Sequence, residues 1–370
     1  MLSKYNDICN DISAIDKKLD YSTYFAPINL HQENNIFLNN YKKKVEYNPI
    51  YKYKEINFDY FGIEKKIDKH IADNLTKTSP LDRILLRALI ERKNLLNIFK
   101  NRCDSEQLTH YSVKTFGVPG DELIYKAKEI FSKKNKSTIS NDNEKKNSAY
   151  DFKNILIKEL QYLNFNWKVK VVETLMPKVS VDPENRTIYL NKNIFFSDND
   201  IKRLIVHELW THVLRSENGR KQKLSIFYSG LAGSISTEEG LAVYSEFVNN
   251  LLDNNMISVY AGRVIASQLC LTESFYNIFS KLTQYLPVEQ SIQITQRVKR
   301  GLSNTEEIGG FTKDYIYLNG FNKVRKFVEN GKDIKPLFIG AVGIDDIDDI
   351  ESLINSNLLT TDYIIPKYFC

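Results

Sequence analysis

Cysteine is sparse in this chain. Cys9, Cys103, Cys270 and Cys370 are the only four in 370 residues, and no two form a C-x-x-C pair. This spacing argues against a disulfide framework and a cysteine-built metal site, and it reads as the free thiols of a cytoplasmic protein. No run of about 18 apolar residues occurs, so no membrane span is expected. The opening MLSKYNDICNDISAIDKK lacks the apolar core of a secretory signal. Charge of one sign is lacking too: 51 Lys+Arg against 46 Asp+Glu leaves a net +5, too little and too dispersed to imply a nucleic-acid partner. Histidine is nearly absent, with five in all. Two of them, His207 and His212, stand in one short stretch, VHELWTH.

What remains is ordinary for a globular protein, with 42% hydrophobic and 26% charged residues. Residues 1–70 are polar and rich in Asn, Lys and Tyr, and read as an N-terminal arm with one or two helices packed on the body; 71–370 read as the main domain. Ser79, Pro80 and Asp82 start a helix through LDRILLRALIERKNLLNIFK. GVPGDELIYKAKEIF gives another. The stretch 132–148 is almost free of apolar residues and is expected to be a mobile surface loop. After a helix near 149–163, WKVKVVE alternates as a strand, and KVSVDPENRTIYLN reads as two strands about a turn at Asp182 to Asn185. Ser197 and Asp200 then open a long helix carrying the histidines. From Ser236 onward the chain reads as mainly helical, ending in a short α/β tail. The fold class is therefore α+β: mainly helical, with a small mixed or antiparallel sheet ahead of the histidine helix.

A zinc peptidase helix usually reads H-E-x-x-H, but here three residues separate Glu208 from His212. On a regular α-helix, positions five apart point about 140° from each other and cannot share an ion. One wide turn with i→i+5 bonding absorbs the surplus, so the spacing predicts a π-bulge around Leu209 to Thr211. With that bulge, two neutral imidazoles and a carboxylate suit one zinc ion, and Glu208 stands beside it as general base. Two unrelated histidines on an amphipathic helix would give the same hexapeptide. A third ligand is available from Glu238 or Glu239, about 27 residues beyond His212, as in gluzincin peptidases. Ser236-x-x-Glu239 is equally a helix capping box.

The stretches HELWTHVLRSENGRKQ, GLAG and TEEGLA resemble the family of microtubule-associated tyrosine carboxypeptidases and its bacterial relatives with a QEGLA motif. The family pattern of H-E-x-x-T-H, N-G-x-x-Q and E-G-L-A is met by His207, Glu208, Thr211, His212, Asn218, Gly219, Gln222 and Glu239 to Ala242. YNPIYKY at 47–53, RTIYLNK at 186–192, RVKRG at 297–301 and FTKDYIYLNG at 311–320 extend the likeness. Glu238 departs from the bacterial Gln, and Trp210 stands where a small residue is common, a bulky indole expected near the metal pocket. The resemblance implies a gluzincin-like metallopeptidase with one Zn2+ on His207, His212 and Glu239, and Glu208 as base.

The expected reaction is removal of a C-terminal residue from a peptide or protein tail. Arg297 and Arg300 are then candidates for the terminal carboxylate. Lys313, Tyr315 and Tyr317 are candidates for stabilising the oxyanion. A non-catalytic relative that keeps the fold around a structural zinc is the alternative.

Overall fold

A computed structural model describes residues 2–75, 78–133, 146–173, 175 and 177–369. Residues 2–74 hold four helices, more than the one or two expected: α1 (Leu2–Asp16), α2 (Tyr21–Tyr24), α3 (Leu30–Lys42) and α4 (Tyr60–Asn74). Ile8, Ile12 and Ile15 recur at helical spacing, and their burial turns a polar segment into part of the core. Local caps supply the boundaries. Asp20 accepts from the Ser22 and Thr23 amides, and Asp59 from that of Gly62. Buried Glu33 accepts from Tyr47 Oη and Ile50 N, which pins the chain after α3.

Ser79 and Pro80 begin α5 (Pro80–Lys100) as the sequence indicates. Helices α6 (Ser105–Phe116), α7 (Asp121–Lys133) and α8 (Ala149–Tyr162) follow. The expected polar loop 132–148 lies mostly outside the described residues. A full capping box at Ser148 and Asp151 marks its far edge.

Three strands form the sheet: β1 (Lys168–Val172), β2 (Val179–Asp182) and β3 (Thr187–Asn191), in the order β1-β3-β2. The β1–β3 pair is parallel and β2–β3 antiparallel, so the sheet is mixed. Ile188 and Leu190 bury against Phe152 and Leu156 of α8, and against Leu209 and Val213 of the histidine helix. The sheet therefore sets the depth of that helix.

The histidine helix begins as α9 (Asp198–Leu204), capped reciprocally by Ser197 and Asp200, and continues after the histidines as α10 (Leu214–Arg220). Then come α11 (Ile226–Ser229), α12 (Ser234–Val248), α13 (Asn254–Leu269), α14 (Phe275–Leu282), α15 (Val288–Lys299), α16 (Ile316–Glu329) and α17 (Ile347–Asn355). The expected α/β tail is α17 and an extended segment, with no strand after β3 among the described residues. No described helix is long and apolar enough to cross a membrane.

Two close backbone approaches fix the layers. Gly240 of α12 faces Gly320 of α16, and a Cβ on either would strike the other helix's backbone. Gly219 of α10 similarly meets the Phe227 carbonyl. Asn218 donates to the carbonyls of Phe338 and Ile364 and accepts from Ile364 N. Gln222 bonds both backbone groups of Thr360. The N-G-x-x-Q stretch is thus a clamp on the C-terminal segment. Tyr53 accepts from Gly301 N and donates to Leu302 O, which joins YNPIYKY to RVKRG in space.

Candidate metal centre

Between α9 and α10 the chain is π-helical over Ile205–Val213, wider than the single bulge expected at Leu209 to Thr211. Leu214 N donates to Leu209 O, five residues back. Thr211 Oγ1 donates to Val206 O at 3.1 Å, again five back, so the threonine hydroxyl bridges the wide turn. The turn brings the two imidazoles to one face, with ring centroids 5.2 Å apart.

The carboxylate comes from α12. Its N-cap is Gly233, in the left-handed region at φ 70°, and Ser236 already lies inside the helix with an unpartnered Oγ. No capping box forms there, so capping does not account for Glu239. Instead Glu239 sits in the second turn and points at the histidines. Its Oε2 lies 3.7 Å from His207 Nε2 and 3.9 Å from His212 Nε2. One ligand atom from each of the three residues falls within 4.8 Å of the others. Glu239 Oε2 is buried and makes no hydrogen bond. An orphaned buried carboxylate oxygen between two imidazole nitrogens is costly by itself and fits a cation that takes N and O donors.

Outer contacts orient both rings. His207 Nδ1 donates to Glu246 Oε1 at 2.7 Å, and the same oxygen accepts from Arg203 Nη1 at 2.8 Å. His212 Nδ1 donates to Glu238 Oε1 at 2.8 Å, and Glu238 Oε2 lies 3.4 Å from Arg215 Nη1. With Nδ1 engaged, each ring turns Nε2 towards Glu239, the arrangement metal-binding histidines commonly have. Burial opposes a charge on His207, but Glu239 and Glu246 outweigh it and lift its pKa to about 10. Burial likewise opposes ionisation of Glu239, yet His207 and His212 hold its pKa down to about 2.

Glu208 differs from these acids. It is half-buried and forms no hydrogen bond or ion pair with a described residue, so its carboxylate is uncommitted. Lys313 is uncommitted as well; burial lowers its pKa while the charge of Glu239 opposes that shift. Tyr317 has a free hydroxyl whose pKa is raised by burial and by the nearby Glu239.

The other candidates are placed differently. Tyr315 Oη donates to Phe116 O at 2.5 Å, towards α6. Arg297 holds Asp314 through Nε at 2.5 Å and Nη2 at 3.1 Å, and Arg300 reaches the same carboxylate at 3.2 Å. The Trp210 indole packs partly buried against the cluster of Leu214, Leu241 and Phe338.

Sequence reasoning missed Glu246 and Arg203. Glu246 lies seven positions after Glu239 on one helix, and Arg203 four before His207, spacings that share a face.

A search of curated proteins returns no match. The model of the microtubule-associated tyrosine carboxypeptidase family matches residues 37–369, which take in every residue of the site, and this chain belongs to that family.

Proposed function

We propose that this protein is a zinc-dependent metallocarboxypeptidase that removes a C-terminal residue, tyrosine by the family's name, from a peptide or protein tail. The observation that carries the reading is the contrast among the acids. Glu238, Glu239 and Glu246 pair with the two histidines within 4 Å, whereas Glu208, whose charge both histidines feel, makes no hydrogen bond or ion pair with a described residue.

His207, His212 and Glu239 would hold the ion. Zinc bound there supplies Lewis acidity, lowering the pKa of water and polarising a carbonyl. Glu208 takes the proton of the attacking water and delivers it to the leaving amine. As the peptide carbonyl becomes tetrahedral, negative charge grows on its oxygen. The free Tyr317 hydroxyl and the Lys313 ammonium are the donors available to meet that charge. The Tyr315 hydroxyl donates to Phe116 O instead. A structural zinc would need no uncommitted carboxylate beside it, which disfavours the non-catalytic alternative.

The test is Glu208→Gln. The variant should keep zinc in stoichiometric amount and lose hydrolysis of tyrosine-ended peptides by about 10²–10⁴-fold, read by mass spectrometry. Zinc-loaded wild type that cleaves no member of a diverse peptide library would remove the enzyme reading.

A further inference from the structure

Arginines surround Asp314 and Tyr317, but they are not equally free. Arg297 commits Nε and Nη2 to Asp314. Arg300 commits Nη2 to the same carboxylate and lies over Phe311, with 4.3 Å to the ring centroid. Arg263, on α13, makes no hydrogen bond or ion pair with any described residue, and its Nε and Nη1 are buried without an acceptor. Its guanidinium lies 4.2 Å from the Tyr317 centroid and 5.3 Å from that of Tyr260. Those two rings are themselves stacked at 5.5 Å and 7°.

Arg263 is half-buried as a residue, but two buried guanidinium nitrogens without an acceptor are costly unless an anion completes them. Asp314 feels the charge of Arg263 but bonds Arg297 and Arg300 instead, and no hydrogen bond joins it to Arg263. The Tyr317 and Tyr260 rings lie close enough to the guanidinium to favour its charge. Tyr317 stands on α16 one turn before Gly320, which packs against Gly240 beside Glu239, so the platform that carries Arg263 lies on the helix that crosses α12 at the candidate metal site.

We propose that Arg263 is the specificity-determining residue that receives the substrate's terminal carboxylate, the role for which the family resemblance made Arg297 and Arg300 the candidates. This rests on the carboxypeptidase reading above. The planar fork of Arg263 offers two parallel N–H groups, which match a carboxylate and not an amide. The enzyme then requires a free C-terminus at the position next to the scissile bond.

Zinc-loaded protein titrated with 3-(4-hydroxyphenyl)propanoate and with its amide tests this, because neither probe has a peptide bond to be cut. Wild type is expected to bind the acid at least about 30-fold more tightly than the amide. Arg263→Gln should bind the two alike, and Arg263→Lys should keep part of the preference. In turnover, Arg263→Ala should raise KM for peptides with a free terminal tyrosine and regain rate on addition of guanidinium chloride, a rescue that a packing defect would not give. An acid preference that is absent in wild type, or undiminished in Arg263→Gln, overturns the assignment. If Arg263→Gln fails to fold, an undiminished preference in Arg263→Lys does the same. Wild type that prefers the acid but cuts no peptide keeps the anchor and removes the peptidase reading.

Discussion

His207 and His212, five positions apart in sequence, direct their Nε2 atoms at one oxygen of Glu239, at 3.7 and 3.9 Å. The π-helical segment that makes this possible is a costly conformation, and it recurs mainly where function demands it.

Removing one imidazole should break the site outright. His212→Ala is expected to lose stoichiometric zinc by elemental analysis after dialysis. Glu246→Gln acts one step out: it weakens the acceptor of His207 Nδ1 and of Arg203 but leaves all three ligands in place. Its zinc affinity should fall by roughly 10–100-fold in chelator competition. Unchanged affinity in Glu246→Gln would show that the outer carboxylate does not orient the ring.

Metal uptake should be linked to protons. In the metal-free protein His207 titrates at about 10, because Glu239 and Glu246 overcome the effect of burial, so at neutral pH it carries a proton. Zinc needs the neutral ring, so binding must release that proton and tighten with rising pH, about tenfold per unit for each proton released. Calorimetry in buffers of different ionisation heat measures the release, and a heat independent of buffer would contradict it. The sign for folding of the metal-free protein follows from the same shift. A raised histidine pKa stabilises fully below the ordinary value of 6.5, and that stabilisation is lost as pH rises through about 10.

Gly240→Ala should be destabilising although it removes no interaction. The added methyl has nowhere to go but the backbone of Gly320, so α12 and α16 must separate. Overpacking of this kind costs about 1–3 kcal/mol. A fall in Tm of several degrees is expected, with reduced zinc retention because α12 carries Glu238, Glu239 and Glu246. Wild-type Tm in this variant would mean the crossing is looser than the contact implies.

Much of this was legible in the sequence because it rests on short-range rules. Ser79 and Ser197 announce helix starts by chemistry confined to four residues, and the turn after Asp182 does the same for the hairpin. The one-residue surplus in HELWTH foretold a π turn through geometry alone. Tertiary burial was not legible. The helices of residues 2–74 hide among Asn and Lys because only a thin apolar stripe marks them. Which arginines meet Asp314 depends on the packing of α15 against the Thr312–Tyr315 turn, which no local signal fixes. Ser236 and Glu239 had the spacing of a cap, but the helix begins at Ser234, two residues earlier.

Deleting Trp210 alone would turn HELWTH into HELTH, the commoner peptidase spelling, yet the molecule could not accept it. Restoring a plain α-helix there would rotate everything after the second histidine by about 100°. Arg215 would leave the carbonyls of Leu337 and Val342, and Asn218 would release Ile364. The additional residue is therefore held by the downstream half of the helix, and losing its codon would give the commoner spelling only at the expense of those contacts.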